Sequence, residues 1–103
     1  MRVLFVQGQP CIRTLKYASA LAEHHPEIQL AFAHQGLTLD AFYGEGDDLF
    51  ERWFKIPVEG ARPALESAID RWRPDIIHHH NLPDTLAVIA IDLVDGAIPV
   101  IHD

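Results

Sequence analysis

The chain has 103 residues, 49% of them hydrophobic and 22% charged, which is enough for one compact domain with a core and too little for two. Its net charge is −7 and its eight Lys and Arg residues are scattered, which excludes the clustered positive charge of a nucleic-acid or anionic-lipid interface. The single cysteine, Cys11, cannot form an internal disulfide, and no apolar run is as long as a signal peptide core or a membrane span. We therefore expect a cytoplasmic protein without an integral membrane segment.

Short apolar runs alternate with helical patterns along the first third of the chain. The run 3–6 is apolar at every position and stops at Gln7-Gly8, which is typical of a strand in a parallel sheet. Apolar residues then recur at spacings of three and four over 12–22, which predicts a helix that ends at His24-His25-Pro26. The run 28–33 predicts a second strand.

The middle of the chain is less regular. The stretch 37–49 combines glycine and aspartate, which favour a loop, with aromatic residues that are expected to pack. The segment 53–58 predicts a short third strand near a sheet edge, because Pro57 cannot donate to a ladder. An amphipathic helix follows and is expected to end before Arg73-Pro74, since a residue preceding proline leaves the helical region.

The last third contains two more predicted strands with a helix between them. Residues 75–78 form the fourth predicted strand and 99–101 the fifth. Asn81 is the expected N-cap of the helix, with Pro83 and Asp84 in its first turn.

This order of elements predicts an α/β fold: a doubly wound, Rossmann-like parallel sheet of about five strands, formed by residues 1–103 as a single domain. In such sheets ligands bind at the carboxyl ends of the strands, near the point where the strand order reverses. Gly8 follows the first strand there, residues 78–81 follow the fourth, His34 lies near the rim, and 102–103 follow the fifth. This concentration of histidines marks the candidate functional edge.

The three consecutive histidines are the clearest candidate side chains. Alternation along a strand places His78 and His80 on one face and His79 on the other. A metal site would need a third ligand, for which His102 or Asp103 is available on the neighbouring strand. The structural alternative is that the histidines cap the strand and bond to loops. We favour a role facing the substrate and expect neither a metal ion nor a cofactor.

Other candidate residues have stronger structural explanations. Gly8 permits close approach of the backbone to a ligand, but both the G-x-G-x-x-G fingerprint and the phosphate loop ending in Gly-Lys-Ser/Thr are absent. Cys11 stands near a helix N-terminus, where a lone cysteine is more often a small packing residue than a nucleophile. The acidic residues within 45–51 lack the spacing of a calcium loop.

The segment 73–81, Arg-Pro-Asp-Ile-Ile-His-His-His-Asn, is followed by a hydrophobic helix and then by Ile-Pro-Val-Ile-His-Asp at 98–103. This pattern resembles the N-terminal domain of family-4-like, group 1 glycosyltransferases of the GT-B fold. The first strand and its glycine turn also fit, so the resemblance spans the chain. It implies that a sugar moves from a nucleotide-sugar donor to an acceptor without a catalytic metal. The substrate-binding positions it implies here, together with their neighbours at the same edge, are Gly8, His78, His80, Asn81, His102 and Asp103.

Two departures from the family's pattern shape the expectation. The first turn has one glycine where the family often has two, and the chain stops at Asp103, before the expected catalytic histidine and the donor-binding domain. We therefore expect an acceptor-side domain truncated from a longer two-domain enzyme, inactive alone and able to self-associate through uncovered apolar surface. Three alternatives stay open: a free-standing flavodoxin-like binding or signalling module, half of a GT-B-fold sugar-nucleotide epimerase, and a metal-dependent hydrolase built on the histidines.

Overall fold

The computed structural model describes residues 1–8, 12–36, 49–79 and 84–102. The strands in these ranges are β1 (Arg2–Val6), β2 (Gln29–His34), β3 (Arg52–Lys55), β4 (Ile76–His79) and β5 (Val100–His102). The helices are α1 (Ile12–His24), α2 (Ala61–Trp72) and α3 (Thr85–Val94). Among the residues described, no helix is long and apolar enough to cross a membrane.

All five strands are parallel and lie in the order β3-β2-β1-β4-β5. The chain moves from β1 outward to β3 and then returns to place β4 on the other side of β1. The strand order therefore reverses between β1 and β4, the two strands expected to flank the ligand-binding point. The predicted doubly wound, Rossmann-like α/β fold is confirmed.

Strand β1 is buried on both faces because its alternate side chains enter two different cores. Val3 and Phe5 belong to an aromatic cluster on the α1 face, which also contains Phe32. Leu4 and Val6 belong to the larger aliphatic cluster under α2 and α3. These four side chains are at most 5% exposed, so the central strand has no solvated face between Val3 and Val6.

Two helix boundaries test the sequence prediction closely. Helix α2 ends at Trp72, and Arg73 adopts a left-handed conformation with φ 54° while its N–H bonds to the carbonyl of Ile69, as expected before Pro74. The predicted start of α3 is wrong, because the helix begins at Thr85 with Asp84 as its N-cap rather than Asn81. The reason is that Asp84 can satisfy the first free amides of the helix with its own carboxylate.

Candidate functional site

The carboxyl ends of β1 and β4 meet at a contact between Gly8 and Asp84. The Gly8 N–H donates to Asp84 Oδ2 at 2.9 Å and to Oδ1 at 3.3 Å. Oδ1 also accepts from the backbone amides of Leu86 at 3.0 Å and Ala87 at 3.2 Å. One carboxylate therefore takes up three backbone amides at the switch point, which is the arrangement that helix N-termini and glycine turns offer to anions.

This contact forms one wall of an open cleft of about 390 Å³. The cleft is lined by Gly8, Gln35, Gly36, Val58, Asp84 and Thr85. The Gln35 amide donates to the Gly8 carbonyl at 2.9 Å, which fixes the end of β2 against the end of β1. The Gln35 side chain donates to the Pro57 carbonyl at 3.3 Å, and its Oε1 lies beside Gly8.

The space around Gly8 is moderately close without being prohibitive. A Cβ added at Gly8 would lie 3.4 Å from Asp84 Oδ1 and 3.5 Å from Gln35 Oε1, both ordinary van der Waals distances. The absence of a side chain at Gly8 therefore opens the cleft between two acceptor oxygens. The nearest side-chain atom to that space is a carboxylate oxygen, Asp84 Oδ1.

His78 lies in the aromatic core of the α1 face and is 2% exposed. Its ring stacks on Tyr17 at 4.5 Å between centroids, with 24° between the planes, and meets Phe5 edge-on at 5.1 Å. This enclosure accounts for a histidine at the end of β4 through packing. The prediction that His78 contacts a substrate stays untested.

His79 is the histidine of β4 whose side chain contacts β5. The sequence prediction had favoured His78 and His80, which alternation along the strand places on the other face. The register of β4 and β5 places His79 opposite His102, and their Nδ1 atoms are 3.2 Å apart. His79 is 2% exposed, whereas His102 lies at the surface. Three predicted site residues, His80, Asn81 and Asp103, lie outside the described residues, as do Cys11 and most of the acidic cluster.

His34 ends β2 as a buried residue, although the sequence had placed it near the rim. Its ring meets Phe32 and Trp53 edge-on, with centroids 5.9 and 5.6 Å away. Burial lowers the pKa of the imidazole, Lys55 lowers it further, and a hydrogen bond with the backbone of Gly36 opposes both effects. His34 is therefore neutral over a wider range of pH than a solvated histidine.

Sequence reasoning missed Asp84 as a site residue. It had been assigned to the first turn of the helix, whereas its position two residues before the apolar run 86–91 is the local signal of an N-cap. Its second partner, Gly8, is 76 positions away and has no local signal. Within the described ranges, no group of three or more His, Cys, Asp or Glu side chains is placed to hold a metal ion.

Comparison with known proteins shows a likeness of fold. No family model matches the chain, and no curated protein matches it. A crystal structure of a protein from the universal stress protein family of Burkholderia pseudomallei is similar, with a TM-score of 0.52 and 18% sequence identity. The match covers 99% of this chain and 94% of the other.

The interpretation as a group 1 glycosyltransferase domain, and with it the assignment as a transferase, is wrong. The structure that the chain matches comes from the universal stress protein family, and no family model supports a GT-B enzyme. The motif that carried the resemblance has structural explanations: Pro74 follows the end of α2, and Asp75 accepts the Arg2 backbone amide at 2.8 Å. Ile77 and His78 fill the two cores.

Proposed function

We propose that the chain is a small-molecule binding module whose ligand presents hydroxyl or amine groups to the cleft beside Gly8 and Asp84. The observation that carries this proposal is the fixed carboxylate of Asp84, held by three backbone amides in the wall of that cleft. This corresponds to the flavodoxin-like binding module among the alternatives left open by the sequence.

The charge of the site selects the chemistry of the ligand. The amides that would bind a phosphate already donate to Asp84, so an anion entering here has to displace the carboxylate or lie against a like charge. The net charge of −7 acts in the same direction. Asp84 and Gln35 instead offer acceptor oxygens beside Gly8, which suit a ligand rich in hydrogen-bond donors.

The size of the cleft supports a ligand of modest size. At about 390 Å³ it lies within the range of small-molecule sites, roughly 300 to 1,000 Å³. Its position at the switch point of a parallel sheet is the usual place for such ligands. The fold match, to a protein of the universal stress protein family, agrees better with this alternative than with a glycosyltransferase. We also propose a cytoplasmic location, and self-association stays a prediction.

Three ligands that differ in their donor groups and charge test the proposal. The ¹⁵N-labelled chain is titrated with adenosine, which carries hydroxyl and amine donors, with adenosine 5′-monophosphate, and with inorganic phosphate. We expect adenosine to shift the amide signals of Gly8, Gly36 and Thr85 in a saturable way. Inorganic phosphate should leave these signals in place. Two outcomes would show that the site recognises anions and that the proposal is wrong. One is binding of inorganic phosphate without binding of adenosine. The other is binding of the monophosphate at least tenfold tighter than that of adenosine.

The control variant separates the carboxylate from the helix cap. Asp84→Ser keeps an N-capping oxygen for α3 and removes the charge and reach of the carboxylate. We expect this variant to keep its circular dichroism spectrum and to bind adenosine at least tenfold more weakly. Unchanged adenosine binding by a folded Asp84→Ser variant would place the ligand elsewhere.

A further inference from the structure

A second site lies at the adjoining edge of the sheet, where β4 and β5 end. His79 and His102 are opposite each other in the strand register, and their rings are 4.6 Å apart between centroids, inclined by 31°. The Nδ1 atoms approach to 3.2 Å, within hydrogen-bonding distance. A single hydrogen bond between them requires one ring to carry its proton on Nδ1 and the other to leave Nδ1 bare.

The separation of the two nitrogens also matches the geometry of metal ligation. Imidazole nitrogens bind Zn²⁺ at about 2.0–2.1 Å, and two of them at tetrahedral angles are then roughly 3.3 Å apart. The observed separation of 3.2 Å between the two Nδ1 atoms is close to this value. We propose that His79 and His102 form a two-nitrogen site for a divalent transition-metal ion such as Zn²⁺, Ni²⁺ or Cu²⁺.

The environment of the pair suits a metal ion that exchanges with solvent. His79 is 2% exposed and is held within the sheet, which restricts its ring, whereas His102 lies at the surface and gives the ion access. Imidazole is a ligand common to these three ions, and water takes the positions that a third and a fourth protein ligand would otherwise fill. When the metal ion binds, the ring that donated the hydrogen bond loses its Nδ1 proton to solvent and takes up a proton on Nε2. Both rings therefore stay neutral.

The site would tie the edge strand to its neighbour. Strand β5 has three residues and pairs with β4 alone in the described sheet, so few backbone bonds hold it. A metal ion that joins one histidine of each strand favours the paired arrangement and therefore stabilises the folded chain in proportion to its occupancy.

Titration of the full chain with ZnCl₂, followed by long-range ¹H–¹⁵N spectra of the imidazoles, tests the proposal. We expect the Nδ1 signals of both His79 and His102 to move together with one equivalent of zinc. Equilibrium dialysis should show at least tenfold weaker binding for His102→Ala, a surface substitution that leaves the core intact. His25→Ala removes an exposed histidine on the end of α1 and should bind zinc like the unmodified chain.

Two results would overturn the proposal. One is zinc affinity in His102→Ala equal to that of the unmodified chain, which would assign the binding to other histidines. The other is a shift of the His102 signal without any shift at His79, which would describe a single exposed ligand. Because neither result depends on adenosine or on Asp84, the metal site is tested independently of the ligand cleft.

Discussion

Gly8 and Asp84 are joined by a hydrogen bond of 2.9 Å although they are 76 positions apart in the chain. The bond links the turn after β1 to the first residue before α3, on the two sides of the switch point. A carboxylate that belongs to the protein therefore holds the amides which glycine turns and helix N-termini usually offer to bound anions. This relationship governs both the stability of α3 and the chemistry of the cleft.

The first prediction concerns the cap itself. Asp84→Ala removes the acceptor for Leu86 and Ala87 and the contact with Gly8, and we expect it to lower the free energy of unfolding by about 1–2 kcal/mol. Asp84→Ser should cost less, because serine also caps helices. Urea denaturation of both variants measures the difference, and equal stability of Asp84→Ala and the unmodified chain would contradict the role of the cap.

The second prediction concerns the turn after β1. Since a Cβ at Gly8 meets its neighbours at 3.4 and 3.5 Å, Gly8→Ala should change the free energy of unfolding by less than about 1 kcal/mol. The added methyl group occupies the space between the Asp84 and Gln35 oxygens, so binding of adenosine should weaken. The two measurements together distinguish a glycine that keeps the cleft open from one that folding requires. A decrease of several kcal/mol in the free energy of unfolding would indicate the second.

The sheet was predictable from the sequence, whereas the contacts of its carboxyl edge were not. Each strand of the sheet corresponds to a short apolar run, and the alternation of these runs with helical periods predicts a parallel, doubly wound sheet. The sequence does not predict which residue a polar side chain at a strand end contacts. His79 contacts His102, 23 positions later, because β5 pairs with β4, and nothing local to either histidine specifies that register.

The same reasoning explains why the family resemblance misled. Pro74, Asp75 and the isoleucines that follow satisfy needs that arise wherever a helix leads into a buried parallel strand: an end to the helix, a partner for a neighbouring backbone amide, and side chains for two cores. Because its causes are structural, such a pattern does not by itself identify a function. The proposed ligand preference of the cleft depends instead on the carboxylate of Asp84.

The third prediction concerns the ring of His78. Because it fills space between Phe5 and Tyr17, His78→Ala should lower the free energy of unfolding by about 2–4 kcal/mol, the range for removal of a large buried side chain. His78→Phe retains an aromatic ring and should recover most of that loss. If both variants unfold at the same urea concentration, packing is not what the ring contributes.

The fourth prediction concerns pH and His34. Burial, aided by Lys55, lowers the pKa of His34 in the folded chain below the 6.5 of a solvated histidine, so the unfolded chain takes up a proton first as the pH falls. The contribution of His34 is therefore fully present above pH 6.5 and is lost as the pH falls from there towards the lower folded pKa.

A phenylalanine at this position isolates the effect. His34→Phe keeps a ring between Phe32 and Trp53 and cannot titrate, so its stability should fall less between pH 7.5 and 5.5 than that of the unmodified chain, by up to about 1.4 kcal/mol per pH unit. Urea denaturation at the two pH values provides the comparison, and parallel losses in His34→Phe and the unmodified chain would mean that His34 takes up its proton equally well when folded.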